Sequence, residues 1–471
     1  MNRRQFIQSS MALAAAMRAR PAGAAAPRPN VVFVFADQWR AQATGYAGDP
    51  NVKTPHLDQL ATESVNFRNA VSGCPVCSPY RGTLMTGRHP DKHGIFVNDV
   101  PLAEDQAFLG QTFLDAGYQT GYIGKWHIDG RGRSAYIPRE RRRGFEYWKV
   151  LECTHDYNQS KYYADSPELQ QWEGYDVFAQ TRDAQQYMTD HHAQGPFTLL
   201  LSWGPPHNPY ETAPALFKAM YDPATLVLPP NIPAEHEAEA RHDLAGYYAH
   251  CSALDQCVGA LRSTLAALGI ANNTIFVFTS DHGDMLGSQG QMRKQRPWDE
   301  SIRVPFLLHY PAGLKPGVRT VDEPITTVDL MPTLLGLCDI PVPGSCQGYD
   351  WSAVLRGKEP VPETAALIAC YTPFGEWTRA MGGREYRGLR TRRYTYVRDL
   401  NGPWLFFDNE TDPYQQKNLA GFAEHGDLAQ QLDKQLIEKL AGVDDAFLPG
   451  DQYLARWKYV TDASGTVAYK P

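Results

Sequence analysis

Reactive side chains stand directly after four separate apolar runs of this sequence. In chain order they are Asp37 and Gln38, Lys125 and His127, His207, and Asp281 and His282. Two neighbouring carboxylates repel each other unless a cation neutralises them. Oxygen ligands from Asp37, Asp281 and the Gln38 amide suit a hard cation such as Ca²⁺ or Mg²⁺, whereas a histidine nitrogen alone favours a softer metal. These residue types therefore predict a shared metal site, with a helix cap and an arginine ion pair as the alternative roles of the two aspartates.

Further cationic and imidazole groups lie near the same runs. Lys125 and His127 are two residues apart in GKWHIDG, and on an extended segment such residues face the same side. Both can therefore reach one ligand. His207 lies in the proline-flanked segment GPPHNPY, and Lys294 lies in MRKQRPW. Taken alone, His207 is more typical of a structural loop than of a catalytic residue, and Lys294 is typical of a solvated surface.

The segment 74–90 reads CPVCSPYRGTLMTGRHP and contains a candidate nucleophile. Pro79 suits the first turn of a helix, so Cys77 is expected at or just before a helix N-terminus. That location favours thiolates and bound anions, and Arg81 lies one turn along the same face. The spacing from Cys74 matches a thioredoxin-like pair, but the Trp and Gly that usually precede such a pair are missing. No second Cys/His pair completes a zinc site.

These residues need a scaffold that brings distant segments together. The four apolar runs span residues 30–38, 118–127, 197–208 and 274–282. Their continuous apolar character suits strands buried on both faces, as in a parallel sheet covered by helices. Helix-like periodicity lies between them, at residues 56–65, 107–117 and 248–268. The alternation predicts an α/β fold with a mostly parallel sheet, in which the reactive residues converge beyond the carboxyl ends of the strands.

The character of the sequence changes after about residue 365. Short alternating strand patterns follow, and then a polar helix from about 426 to 441. They predict a small C-terminal domain with an antiparallel sheet and a helix. We therefore divide the chain into a signal segment (1–26), a catalytic domain (27–365) and a C-terminal subdomain (366–471).

The first 26 residues indicate export. Arg3-Arg4 precedes an Ala-rich run with small-residue cleavage options, which is typical of a twin-arginine signal; an amphipathic helix is the alternative. We expect an exported bacterial protein, either periplasmic or extracellular. The net charge of −7, without a long basic run, argues against a nucleic-acid partner. Past residue 26, no apolar stretch is long enough to predict a membrane span.

Eight cysteines in an exported chain raise the question of disulfides. Cys251 and Cys257 are close enough in sequence to pair, as are Cys338 and Cys346, while Cys74 could pair with any other. Spacing alone leaves every pairing open.

Several segments together resemble one known family. Cys77-Ser78-Pro79-Tyr80-Arg81 resembles the Cys-x-Pro-x-Arg signature of the formylglycine-dependent (type I) sulfatases, in the alkaline phosphatase superfamily. Three further segments resemble its other signatures in the family's order: Gly124-Lys125-Trp126-His127, the Pro-Pro-His-x-Pro segment at His207, and Thr279-Ser280-Asp281-His282-Gly283 with Lys294. The resemblance covers nearly all of residues 28–420. It implies a large, mostly parallel sheet sandwiched by helices, with a small C-terminal domain of antiparallel sheet plus helix.

The resemblance also implies a role for each matching residue. A maturation enzyme would oxidise Cys77 to Cα-formylglycine, whose hydrated aldehyde is a nucleophile held by Arg81. One Ca²⁺, with Mg²⁺ or Mn²⁺ as alternatives, would be bound by five residues: Asp37, Gln38, the modified Cys77, Asp281 and His282. Lys125 and Lys294 would neutralise sulfate oxygens. His127 would serve as the base in sulfate release, and His207 would protonate the leaving alcohol.

The expected activity is hydrolysis of a sulfate ester, with a sulfated carbohydrate as the substrate suggested by class frequency and export. Many relatives have Asp in place of Gln38 and Asn in place of His282, and both variants occur in phosphonate and phosphate ester hydrolases of the superfamily. A phosphonate or phosphodiester hydrolase on the same fold is therefore the alternative. A non-catalytic anion- or glycan-binding protein is a second alternative, against which the intact Cys77, His127 and His207 argue.

Overall fold

A computed structural model describes residues 28–317 and 320–469. The export signal predicted at residues 1–26 lies outside the described residues and stays a prediction. Within those two ranges, no helix combines the length and the apolar character that crossing a bilayer requires.

The strands are numbered in chain order. They are β1 (Asn30–Asp37), β2 (Val65–Phe67), β3 (Ala70–Val71), β4 (Gln119–Lys125), β5 (Tyr147–Leu151), β6 (Lys161–Tyr162), β7 (Gln170–Gln171), β8 (Phe197–Pro206), β9 (Thr274–Ser280), β10 (Arg303–Val304), β11 (Phe306–His309), β12 (Thr320–Val321), β13 (Ile325–Thr326), β14 (Ala365–Cys370), β15 (Tyr386–Thr391), β16 (Tyr394–Asp399) and β17 (Gly402–Asp408).

The α-helices are numbered in the same way. They are α1 (Pro55–Glu63), α2 (Cys77–Thr86), α3 (Pro90–His93), α4 (Leu109–Asp115), α5 (Asp176–His191), α6 (Ala215–Lys218), α7 (Glu237–Ala267), α8 (Asp299–Ile302), α9 (Thr327–Leu337), α10 (Ser352–Leu355), α11 (Gly426–Gly442) and α12 (Gly450–Trp457).

The main sheet has eight strands in the order β12-β2-β11-β9-β1-β8-β4-β5. Its central strands are parallel: β1 pairs with β8 and β9, and β4 pairs with β8 and β5. Only β11 runs antiparallel to its neighbours, β9 and β2. The predicted α/β fold with a mostly parallel sheet is therefore confirmed.

Both faces of this sheet are covered. Successive residues of a strand point to opposite faces, so Val31, Phe33 and Phe35 enter one apolar core and Val32 and Val34 enter the other. The first core is completed by α2 and α9, and the second by the long helix α7. Burial on both faces is the reason that β1 and β9 have continuous apolar sequences instead of alternating ones.

The predicted helices form with shifted ends. Residues 56–65 correspond to α1, and residues 107–117 to the shorter α4, which is followed by Gly117 in the left-handed conformation at φ 82°. The pattern at 248–268 lies within α7, which spans 31 residues and begins at Glu237. The first turns of α7 are polar, but they contain the buried residues Ala240 and Leu244. Their packing extends the helix at its N-terminal end beyond the segment with helical apolar periodicity.

A second, antiparallel sheet follows near the C-terminus, with its strands in sequence order from β14 to β17. Helix α11 packs on it through Leu432, Leu436 and Leu440, whose spacing of four residues places them on one face. The predicted antiparallel sheet and helix are thus confirmed. The division into domains near residue 365 stays a prediction, although β14 begins at that residue.

All eight cysteines lie within the described residues, and all are free thiols. The candidate pair Cys251 and Cys257 lies on α7, where six residues correspond to a rise of about 9 Å. That separation is beyond the reach of a disulfide.

Candidate active site

The carboxyl ends of β1, β4, β8 and β9 meet at one edge of the main sheet. Asp37 ends β1, Lys125 ends β4, His207 follows β8 and Asp281 follows β9. All four side chains are buried. Lys125 Nζ donates a hydrogen bond to Asp37 Oδ2 at 2.7 Å. The convergence that parallel strands predicted is thus present in the structure.

Four potential metal ligands form the centre of this edge. Single ligand atoms of Asp37, Cys77, Asp281 and His282 all lie within 4.8 Å of one another. Cys77 Sγ is 3.5 Å from Asp37 Oδ1 and 3.3 Å from His282 Nε2. The other ring nitrogen of His282 lies 2.9 Å from the Gly283 carbonyl oxygen, which directs Nε2 into the cluster. Two carboxylates, an imidazole nitrogen and one further group at position 77 fit a divalent cation.

The charges around the two aspartates are unequal. Burial opposes ionisation of Asp37, but the positive charges of Lys125, His282 and Arg81 outweigh it and keep the pKa of that carboxyl well below its ordinary value. Burial and the nearby charge of Asp37 raise the pKa of Asp281. A bound cation would relieve the repulsion between these two carboxylates.

Helix α2 carries both Cys77 and Arg81. It begins at Cys77, as predicted, and ends at Thr86, followed by Gly87 in the left-handed conformation at φ 63°. The buried Arg81 guanidinium donates from Nη2 to Asp37 Oδ2 at 3.1 Å and to Asp281 Oδ2 at 3.2 Å. Its Nη1 donates to the Lys125 carbonyl and to Ser202 Oγ. Arg81 therefore holds the two aspartates, and its expected contact with the nucleophile stays a prediction.

Position 77 lies in a strongly cationic environment. Burial and Asp37 both disfavour a thiolate, but Lys125, Lys294 and His282 outweigh them and hold the pKa of Cys77 well below its ordinary value. The side chain is 1% exposed. An electron-rich group is therefore stabilised at this position, as an anion-handling site requires.

Gln38, Lys294 and His207 form a connected group beside the cluster. Lys294 Nζ donates to Gln38 Oε1 at 3.0 Å and lies 2.6 Å from His207 Nε2. The Gln38 amide nitrogen donates to Asp284 Oδ2 at 2.6 Å. The Gln38 oxygen thus accepts a hydrogen bond from Lys294, and its expected role as a metal ligand stays a prediction.

His207 is held as a neutral imidazole. Burial and the neighbouring Lys294 charge lower the pKa of His207 well below its ordinary value. Its Nδ1 lies 2.8 Å from the Asn208 carbonyl, so Nδ1 carries the proton and Nε2 faces Lys294. His155 stacks on the ring with centroids 4.4 Å apart and an interplanar angle of 5°. This ring is therefore fixed in orientation.

His127 lies two residues after Lys125 and is also buried. Its Nε2 is 2.9 Å from Asp99 Oδ1. Burial and Lys125 disfavour the charged imidazole, but Cys153, the hydrogen bond with Asp99 and the nearby Cys77 outweigh them and raise the pKa of His127 to about 9.

Sequence reasoning missed several neighbours of the site. Asp99 contacts His127, His155 stacks on His207, and Glu376 Oε2 lies 3.5 Å from Lys294 Nζ. None of the three belongs to an apolar run or a recognisable signature, and only the fold brings them to the site. Every residue predicted for the site, in contrast, lies in this one network.

Comparisons with known proteins agree with this geometry. The family model described as Sulfatase matches residues 29–340, and the model described as N-sulphoglucosamine sulphohydrolase, C-terminal, matches residues 287–441. An ulvan-active sulfatase from Formosa agariphila is 47% identical over 440 residues, which cover 92% of this chain and 85% of that protein. An endo-4-O-sulfatase from Bacteroides thetaiotaomicron is 28% identical, with coverage of 89% and 93%.

Solved structures show the same architecture. The crystal structure of the sulfatase yidJ from Bacteroides fragilis superposes with a TM-score of 0.81 at 30% identity. The match covers 92% of this chain and 99% of that one. A structural match that covers this share of the chain includes both the main sheet and the C-terminal antiparallel sheet.

Proposed function

Because this chain belongs to the sulfatase family and is a sulfuric ester hydrolase, we propose that it removes sulfate from a sulfated carbohydrate. The observation that carries the proposal is the buried cluster of Asp37, Cys77, Asp281 and His282. A polysaccharide or oligosaccharide substrate is supported by two relatives, one named for its action on ulvan and the other named as an endo-4-O-sulfatase.

The proposed centre contains a modified residue and a metal ion. In the mature protein Cys77 becomes Cα-formylglycine, and Asp37, Asp281 and His282 hold one Ca²⁺, with Gln38 beside them. The formylglycine diol supplies the attacking hydroxyl, and the bound cation supplies positive charge for the sulfate oxygens. Arg81 keeps both aspartates in place through its bonds to their Oδ2 atoms.

Two buried lysines bind the sulfate group in this proposal. Burial opposes their charge, but Asp37 raises the pKa of Lys125, and Cys77 and Glu376 raise that of Lys294. Both ammonium groups thus stay protonated at neutral pH. Positive groups fixed in a water-poor site stabilise the charge on sulfuryl oxygens more strongly than solvent does.

His207 is the proposed proton donor to the leaving alcohol. Its Nε2 lies 2.6 Å from Lys294 Nζ, at the sulfate-binding end of the site, where the negative charge of a bound sulfate ester would favour the protonated imidazole that donates to the departing oxygen. A sugar alkoxide is a poor leaving group and needs this proton, whereas 4-nitrophenolate is stable without it.

We therefore expect His207→Ala to lower kcat by about 10²–10³-fold on a sulfated sugar, and by about tenfold or less on 4-nitrophenyl sulfate. Steady-state kinetics on both substrates measures the difference. His236→Ala, at the partly buried N-cap histidine of α7, is the matched control. Equal losses on the two substrates would assign His207 to a role other than proton donation.

We propose that the protein works after export, in the periplasm or outside the cell, and that a formylglycine-generating enzyme matures it. The arginine pair and Ala-rich run at residues 3–26 support export. A peptide-level mass measurement on protein co-expressed with the maturation enzyme tests the modification, since conversion of thiol to aldehyde changes the mass of the Cys77 peptide.

Substrate profiling tests the function itself. Matured protein is incubated with sulfated mono- and oligosaccharides and, in parallel, with a phosphonate monoester. We expect sulfate release with a kcat/KM at least about 100-fold above that for the phosphonate, a difference of about 3 kcal/mol in transition-state binding. Faster phosphonate hydrolysis would support the alternative, which relatives named as sulfatases do not favour.

A further inference from the structure

We propose that Asp99 is the positioning residue that fixes the working orientation of His127. Asp99 lies in the loop between α3 and α4, away from the strand ends that carry the rest of the site. His127 Nε2 is 2.9 Å from Asp99 Oδ1, and both side chains are buried. The inference rests on the proposed function, because it specifies which atom of His127 works in that same site.

The hydrogen bond to Asp99 decides which ring nitrogen of His127 is available. With Nε2 facing Asp99, only Nδ1 remains, and among residues 28–317 and 320–469 this buried atom has no hydrogen-bond partner. A buried polar atom without a partner is costly and is characteristic of a site that a ligand completes. Cys77 is among the neighbours that act on the imidazole. Nδ1 is therefore the ring atom that remains available for proton exchange in the site.

Asp99 is itself held firmly. Besides His127, it accepts a hydrogen bond from Arg133 Nη2 at 3.0 Å and from the Tyr469 hydroxyl at 2.9 Å. Burial opposes its charge, but the bonds from His127 and Arg133 outweigh burial and keep the pKa of Asp99 below its ordinary value. An ionised carboxylate accepts all three donors at once, which a neutral amide cannot do.

The same loop also contacts the residue after Cys77. Asn98 Oδ1 accepts a hydrogen bond from the Ser78 backbone N–H at 3.1 Å, and Ser78 Oγ donates to the His127 carbonyl at 2.6 Å. Asn98 and Asp99 thus tie the start of α2 and the His127 ring to one another.

Backbone conformation supports a functional role for this arrangement. Asp99 has a φ of 66° and His127 a φ of 59°. Few residues other than glycine adopt this left-handed region, and such conformations persist where surrounding contacts hold them, often at functional sites.

These contacts predict the effect of removing the carboxylate. An acid–base residue works only when a third group orients it. In Asp99→Asn, one amide oxygen must serve three donors, so the His127 ring loses its fixed acceptor. We expect kcat on the sulfated saccharide to fall about 10²-fold, with KM within about threefold of wild type, since a residue that acts through His127 leaves substrate binding largely unchanged.

A double-mutant cycle separates positioning from general damage. Asp99→Asn, His127→Ala and the double variant are compared with matured wild type. If Asp99 acts through His127, its replacement costs less than about threefold in kcat when His127 is already alanine. Asp129→Asn is the control. It removes a buried carboxylate that lies two residues after His127 in the sequence and pairs with Arg141. We expect this variant to keep wild-type kcat.

Crystal structures of unmatured wild type and unmatured Asp99→Asn give a second readout that does not depend on activity. We expect the His127 ring to be rotated or displaced in the variant. If the His127 ring keeps its wild-type position in the variant, the positioning role is overturned, whatever kcat is measured. The role is also overturned if Asp99→Asn lowers kcat equally in the wild-type and His127→Ala backgrounds. If Asp99→Asn does not fold, Asp99→Ser is carried through the same cycle and structure. Absence of sulfatase activity in wild type counts against the proposed function, whereas the ring position still tests Asp99.

Discussion

Replacing Cys77 by alanine is expected to abolish turnover while the protein stays folded and still binds its substrate. Alanine offers no group that can attack sulfur or be converted to an aldehyde, so we expect a loss of kcat of about 10⁴-fold or more. Lys125 and Lys294 remain to bind sulfate, so the affinity for a sulfated saccharide should persist. Sulfate release and calorimetric binding to the same saccharide measure the two effects.

Cys74→Ala is the matched control for this variant. Cys74 lies three residues earlier, is also buried, and belongs to the apolar core beside α2. Burial raises the pKa of its thiol to about 12, so it has no reactive thiolate at neutral pH. We expect its variant to keep activity near that of wild type. Measurable turnover in Cys77→Ala co-expressed with the maturation enzyme would exclude a nucleophile at position 77.

Removing the proposed cation is expected to lower kcat by about 10³-fold or more and to lower the melting temperature. Such a cation would contribute several kcal/mol of transition-state stabilisation. Without it, two buried carboxylates face each other and depend on Arg81, Lys125 and His282 for compensation. Dialysis against a chelator, followed by titration with Ca²⁺, should restore both quantities, because a ligand that binds only the folded state raises its stability with concentration.

Two aspartate variants sharpen this experiment. Asp281→Asn removes one carboxylate of the cluster and should abolish the response of the melting temperature to Ca²⁺. Asp433→Asn removes a half-buried carboxylate that pairs with Arg398 on the C-terminal sheet and should keep the full response. Full activity after chelation, or the same Ca²⁺ response in Asp281→Asn, would contradict a metal at this cluster.

The scaffold of the site could be predicted from the chain because parallel strands obey a simple rule. Their carboxyl ends share one edge, so Asp37, Lys125 and Asp281 had to meet there. The helix start at Cys77 followed from Pro79. These inferences depend on local pattern plus one geometric fact about sheets, and the structure agrees with both.

Other parts of the site depended on side-chain directions that no local pattern contains. The Gln38 oxygen accepts a hydrogen bond from Lys294, a contact that the sequence did not predict, and its role as a metal ligand stays a prediction. Asp99 lies in a loop with no helical or strand periodicity, and its partner His127 is 28 residues away. Such contacts are set by how loops close over the sheet edge, which a single sequence does not reveal.

The pairing of β1 with β8 and β9 has a consequence for how activity is acquired. Contacts within the site join residues far apart along the chain, with separations of 88 residues for Asp37 and Lys125 and 205 for Cys77 and His282. Closing such long loops costs conformational entropy before the contacts that they bring together can stabilise the fold. Folding is therefore slow, and unpaired strands stay exposed to aggregation for longer. No N-terminal fragment that ends before or within β9 contains Asp281 or His282. Catalytic activity is therefore a late marker of folding, acquired only when the whole sheet has closed.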